Sequence, residues 1–164
     1  MNEVYVICSE SGDEYKLQFT TERSGMIADE ILDELQNSGI EVVEVGLGRN
    51  KGLNVTSHLV LAQIEQCIAE VVLNHSNVML VFFCDFISLL PSMRRDVSVQ
   101  EYRSRLFCRM FERYVSQHRI HEVCNKIFVV EGVAENYFFH VIAHKDLIGY
   151  ADIVGNSIQK DFGK

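Results

Sequence analysis

Residues 77–84 read NVMLVFFC and contain the longest apolar run of the chain. The apolar run from Val78 to Cys84 is far shorter than the roughly 20 residues that a membrane-spanning helix needs. A short run that is apolar almost throughout is typical of a strand buried on both faces in the middle of a sheet. The stretch therefore predicts a central strand with other elements packed over it.

The segments on either side alternate between strand and helix patterns. Residues 3–8 and 14–20 alternate apolar and polar side chains around the turn sequence SESGD, which predicts an N-terminal hairpin with Tyr15, Leu17 and Phe19 on one face. Apolar residues at helical spacing predict helices near residues 27–35, over 56–74, after Ser98 and from about Leu147. Further strands are predicted at residues 40–47, 125–132 and 137–144. The order β-β-α-β-α-β-α-β-β-α predicts one α+β domain over residues 1–164, a mixed sheet of about six strands with helices packed on it.

Charge is distributed unevenly along a chain whose formal net charge is −8. Residues 1–50 contain 11 acidic and three basic residues, whereas residues 94–126 contain eight basic and four acidic ones. An acidic protein lacks the broad basic surface that nucleic-acid binding normally needs, so we expect no nucleic-acid partner. The oppositely charged segments predict a protein partner or self-association. The simplest form is a homodimer in which the acidic first third of one chain contacts the basic segment of the other.

The five cysteines predict free thiols. They form no C-x-x-C pair, and each lies in or beside an apolar segment, as expected of buried thiols in a reducing cytosol. No basic stretch precedes the first apolar residues, so no signal peptide is predicted. We expect a cytoplasmic protein without a membrane segment.

The basic segment contains YRSRLFCRMFERY, residues 102–114. Ser98, followed three residues later by Glu101, is a capping box that predicts the start of a helix. On that helix Arg105, Arg109 and Arg113 recur every four residues and form a polar stripe beside an apolar arc. The stripe is a solvated helix face or a binding surface for phosphates or an acidic protein.

Arg103 falls inside the apolar arc of the same helix, where an unpaired charge would be costly. Three interpretations remain open. Its guanidinium pairs with an acid in the fold, for which Asp85 at the end of the buried strand is the first candidate; it reaches solvent past the helix start; or it binds a ligand.

Three short motifs in this order resemble a family of short bacterial proteins of unknown function. They are the N-terminal hairpin with Tyr5, Gly12, Tyr15, Leu17 and Phe19, the buried strand ending in Cys84 and Asp85, and the RxRLFxRxF helix motif of residues 103–111. The resemblance covers most of the chain, and the arginine motif is its most distinctive part. Met110 stands where the motif is expected to have tryptophan, and the segment after Asp85 is longer. The resemblance implies a shared fold and no particular reaction.

Residues 45–52, VGLGRNKG, follow a predicted strand and precede a predicted helix. Gly46 and Gly48, with the cations Arg49 and Lys51, are either a plain glycine turn or a loop whose backbone amides bind an anion. The spacing matches neither the dinucleotide fingerprint nor a P-loop.

Three hypotheses for function follow. The first is a non-enzymatic protein-interaction module of the bacterial cytoplasm. The second is an enzyme or sensor for a phosphorylated ligand or nucleotide, with Arg103, Arg105 and Arg109 binding the anion and Asp85 as the acid. The third, a component of a toxin or phage-defence system, rests on association alone. No nucleophile motif and no third ligand beside the histidine pairs are found, so we predict no catalytic residue, metal or cofactor.

Overall fold

Strand β4 (Val78–Phe83) is buried on both faces in the computed structural model, which describes residues 1–83 and 97–162. Val78 and Leu80 pack into the apolar core on one side of the sheet. Met79 and Val81 pack into a second core on the other side. The two-sided burial confirms what the unbroken apolar run predicts. Asp85 lies outside the described residues.

The described residues form one six-stranded mixed sheet and four α-helices, which confirms the predicted class and order of elements. The strands are β1 (Asn2–Cys8), β2 (Glu14–Thr20), β3 (Glu41–Lys51), β4, β5 (Val123–Val130) and β6 (Tyr137–His144). The helices are α1 (Asp29–Asn37), α2 (His58–Asn74), α3 (Val99–Gln117) and α4 (Ile148–Asp161), the last preceded by a 3-10 turn (Lys145–Leu147).

The strands lie in the order β1-β2-β3-β4-β6-β5. Four of the five pairings are antiparallel, and β3 and β4 alone pair in parallel. A parallel pair needs a crossover connection, which α2 provides between these two strands. The pairing of β3 with β4 ends at Val45 and Phe82, whereas β3 continues along β2 as far as Lys51.

The helices pack on opposite faces of the sheet. Apolar residues of α2 and α3 cover one face, and those of α1 and α4 cover the other. On β2 the predicted common face of Tyr15, Leu17 and Phe19 is confirmed, because all three are buried in the core beneath α2.

Local signals explain where the helices begin and end. The hydroxyls of Ser57 and Ser98 accept from the third residue of α2 and of α3, at 3.3 Å and 3.1 Å, which is N-capping. Helix α1 ends before Gly39, whose φ of 77° is a conformation that glycine adopts without strain. Within residues 1–83 and 97–162, no helix has the length and apolar character needed to cross a bilayer.

Candidate functional site

The predicted arginine stripe lies on the surface of α3. Arg105, Arg109 and Arg113 are exposed. Arg105 pairs with Glu101 one helical turn away. Arg113 lies 3.6 Å from a carboxylate oxygen of Glu65, a buried residue of α2. Two of the three guanidiniums therefore already neutralise acids of their own chain, and binding by the stripe stays a prediction.

Arg103 is buried, as its place in the apolar arc predicts. Its exposed fraction is 6%, so the interpretation in which the guanidinium reaches solvent is wrong. Arg103 interacts with at least one other group of the chain. Pairing with Asp85 stays a prediction, because Asp85 lies outside the described residues.

The predicted glycine turn at residues 45–52 is wrong for residues 45–51, which continue a strand. Gly46, Gly48, Arg49 and Lys51 belong to β3. Gly46 pairs with Gln18 of β2, and Gly48 pairs with Lys16. The hydrogen-bonded ladder to β2 keeps this stretch extended although glycine disfavours strands. The signal that could have predicted the strand is the alternation of Val43, Val45, Leu47 and Arg49.

Arg49 is not available to an anion, because its guanidinium binds three groups of its own chain. Nη1 donates to the carbonyl oxygen of Asn54 at 2.7 Å. Nη2 donates to the hydroxyl of Tyr15 and to that of Thr56, each at 2.8 Å. The guanidinium carbon also lies 4.9 Å from the centre of the Tyr15 ring. Arg49 thus connects the end of β3 to the segment before α2.

Asp13, in the turn of the first hairpin, holds the same segment from the other side. Its carboxylate accepts from the Ser11 hydroxyl at 2.7 Å, and from the backbone and side-chain amides of Asn54 at 3.1 and 2.9 Å. These hydrogen bonds lower the pKa of Asp13 to about 2. Gly52 packs so closely on Asp13 that a Cβ at residue 52 would lie 1.8 Å from its Oδ1.

The segment fixed in this way, residues 52–57, is named the aliphatic loop. Leu53 is 86% exposed and Val55 is 80% exposed. Leu59, in the first turn of α2, is also exposed. Sequence reasoning missed Asp13, Leu53 and Val55, because a turn aspartate and two isolated aliphatic residues carry no distinctive pattern.

A cavity of about 490 Å³ opens beyond the end of β4. One wall is formed by apolar side chains of α2 and α3, together with Phe82. Residues of β2 and β3 also line it, and among them Lys16, Gly46 and Gly48 lie on the face of the sheet opposite to Val45 and Leu47. Arg103 is the α3 cation that lines it, so the structure brings Arg103 together with the two predicted glycines and not with Arg49.

A buried polar chain joins α3 to the sheet. The Ser104 hydroxyl lies 2.9 Å from Nε2 of His140, and Nδ1 of His140 lies 3.1 Å from Oδ1 of Asn125. Because an amide oxygen only accepts, Nδ1 carries the proton and Nε2 accepts from the hydroxyl. Burial lowers the pKa of His140 to about 4. The order of serine, histidine and amide resembles that of a hydrolase triad. Ser104 is buried, however, and is not among the residues found to line the cavity.

Comparison with known protein families, characterised proteins and solved structures found no match to this chain. The resemblance to bacterial proteins with the arginine motif therefore stays a prediction. Any function must be inferred from the aliphatic loop, the cavity and the charges around them.

Proposed function

We propose that this protein is a non-enzymatic interaction module that pairs with a second copy of itself through the aliphatic loop. The observation that carries the proposal is the exposure of Leu53 and Val55 in a loop that buried polar groups hold in place. A loose loop could turn these side chains toward the protein, whereas Asp13 and Arg49 keep the backbone in one conformation. Fixing a binding loop in advance lowers the entropy lost on association.

The charges around the loop favour a second copy as the partner. Lys51 and Glu14 are paired in the register of β3 and β2, so both signs of charge lie at the base of the loop. In a two-fold dimer the same patch faces itself, and each cation can then meet an anion of the other copy. The arginine stripe is less suited to this contact, because Arg105 and Arg113 pair within their own chain.

The expected dimer is weak. Burying Leu53 and Val55 of both copies would contribute roughly 6 to 12 kcal/mol, at about 1.5 to 3 kcal/mol for each side chain. Association itself costs at least about 4 kcal/mol. The difference of roughly 2 to 8 kcal/mol corresponds to a dissociation constant between about micromolar and tens of millimolar. Self-association should therefore be measured up to high protein concentration.

Sedimentation velocity over a concentration series tests the proposal. We expect a monomer–dimer equilibrium that the double substitution Leu53→Ser and Val55→Ser shifts strongly to monomer. Val133→Ser, at an exposed aliphatic residue of the β5–β6 connection, should leave the equilibrium unchanged. Added salt should weaken the dimer only slightly, because the contact is mainly apolar and only the surface residues Lys51 and Glu14 pair across it. A wild-type chain that stays monomeric throughout, or a double variant that dimerises like wild type, would contradict the proposal.

A further inference from the structure

We propose that the open edge of β1 binds an extended basic segment of a partner protein, which adds to the sheet as a further strand. This inference is independent of the proposed pairing through the aliphatic loop, because it uses a different surface of the molecule. It rests on the backbone groups, the valines and the charges of β1.

Strand β1 is an edge of the described sheet, because it pairs on one side only, with β2. At the two ends of this ladder, the amide of Thr21 donates to the carbonyl of Met1 at 3.1 Å, and the amide of Ser9 donates to the carbonyl of Asp13 at 2.8 Å. Hydrogen-bonded and non-hydrogen-bonded pairs alternate along an antiparallel ladder. The odd-numbered residues of β1 therefore bond to β2, and the backbone N–H and C=O groups of residues 2, 4, 6 and 8 point to the open edge.

The sequence of β1 leaves this edge free to accept a strand. Edge strands are commonly blocked by lysine, by proline or by a bulge. Residues 2–8 read NEVYVIC, and their register with β2 is regular. Addition of a strand to such an edge is a recurring way in which domains bind extended peptides.

Val4 and Val6 favour apolar side chains at alternate positions of the added strand. They are 54% and 59% exposed, on the face of the sheet opposite α2. In antiparallel addition, each of them would lie directly opposite a partner residue whose side chain points to the same face. Valines at those partner positions would cover both side chains.

The charges on the other face of β1 favour a basic partner. Glu3 accepts from the hydroxyl of Tyr5 at 2.7 Å. This hydrogen bond, followed by burial and by nearby charges that include Glu70 of α2, raises the pKa of Tyr5 to about 12. Neither β1 nor α2 contains lysine or arginine, and Lys16 of β2 lies on the opposite face. Basic residues between the partner's valines would therefore meet carboxylates, whereas a second copy of β1 would bring the same acids together.

The test titrates the isotope-labelled full chain with a nine-residue peptide of alternating lysine and valine, and follows each backbone amide by NMR. We expect saturable binding of one peptide per chain. Hydrogen exchange should slow at the amides of Val4 and Val6, which point to the open edge. Exchange at Tyr5, whose amide already bonds to β2, should stay as it is in the free chain.

Two modified peptides separate backbone pairing from attraction of charge. In antiparallel addition the valines lie opposite Val4 and Val6, so the N–H groups of the peptide's valines point to β1. N-methylation of these valines should weaken binding about tenfold or more, because the ladder loses its donors. N-methylation of the lysines is the matched control and should have little effect, because their N–H groups point away from β1.

Two variants of the chain test the charges. Glu70→Gln should weaken binding about two- to fivefold, the range of an exposed ion pair. Glu112→Gln, at an exposed acid of α3, removes the same charge elsewhere and should leave binding unchanged. The double substitution Leu53→Ser and Val55→Ser should also bind the peptide like wild type, because the aliphatic loop is not part of this surface.

No saturable binding to the wild type, or equal binding of the two N-methylated peptides, would overturn strand addition at β1. Equal binding by Glu70→Gln and Glu112→Gln would overturn the basic character of the partner. Loss of binding in the double loop variant would assign the peptide to the aliphatic loop and overturn the β1 site, whatever the outcome of the sedimentation experiment.

Discussion

Arg49 and Asp13 form a nearly fully buried pair, with Nη1 of Arg49 lying 3.7 Å from Oδ1 of Asp13. The side chains are 9% and 1% exposed, respectively. Between them they hold the segment before α2 by hydrogen bonds to Asn54 and Thr56. Because Arg49 makes these contacts within its own chain, it stabilises the fold and does not bind an anion. It also makes the conformation of the aliphatic loop depend on two residues that lie beneath it.

Replacing Arg49 tests this dependence. Arg49→Met should lower the melting temperature by several degrees, because Asp13 is left as a buried carboxylate without its cation and the Asn54 carbonyl loses its donor. Arg105→Met is the matched control, since Arg105 makes an exposed pair on α3 that should contribute little. Thermal unfolding followed by circular dichroism measures both. Equal melting temperatures for the two variants would show that the buried pair is not a structural requirement.

His140 should make the protein lose stability as the pH falls from about 6.5 to 4, a range that begins well above the pKa of an ordinary carboxylate. Its pKa in the folded state is about 4, against 6.5 for an ordinary histidine, because burial disfavours the charged ring. The folded pKa is lowered, so this contribution is fully present above pH 6.5 and is lost as the pH falls toward 4. The loss amounts to at most about 3 kcal/mol.

Urea unfolding at pH 7 and at pH 4.5 measures this contribution. The fall in the free energy of unfolding between the two values should be smaller in His140→Gln than in the wild type. The same substitution at the exposed His58 should leave the wild-type pH dependence in place. An unchanged pH dependence in His140→Gln would mean that folding does not shift the pKa of His140, contrary to its burial.

Two glycines of α4 should respond in opposite ways to alanine. A Cβ at Gly155 would lie 2.1 Å from a ring carbon of Phe128, whereas a Cβ at Gly149 would meet nothing within 4 Å. Gly155→Ala should destabilise the fold by about 1 to 3 kcal/mol through overpacking. Gly149→Ala should stabilise it by up to about 1 kcal/mol, because alanine favours helix. Chemical denaturation of both variants measures the difference, and a stabilising Gly155→Ala would contradict the packing of α4 on β5.

Much of the fold could be predicted from local patterns. The apolar run of β4, the alternation in the first hairpin and the capping serine of α3 are all short-range signals, and the structure confirms each of them. Arg103 could also be predicted as buried, because helical geometry alone places it among apolar residues.

The sites were harder to predict, because their contacts join distant parts of the chain. Asp13 binds Asn54 across 41 residues, and nothing near Asp13 distinguishes it from an ordinary turn residue. Gly46 and Gly48 suggested a turn, since glycine propensity is local and the ladder to β2 that overrides it is not. That they line a cavity depends on where the pairing of β4 with β3 ends, which only the folded chain shows.

Photo-crosslinking from position 53 tests whether two copies pair through the aliphatic loop. A chain with p-benzoylphenylalanine in place of Leu53 is mixed with an isotope-labelled wild-type chain, irradiated at high concentration and mapped by mass spectrometry. We predict crosslinks between the two isotopic forms that join position 53 of one copy to residues 52–59 of the other. Crosslinks confined to one chain, or between chains at unrelated segments, would contradict it.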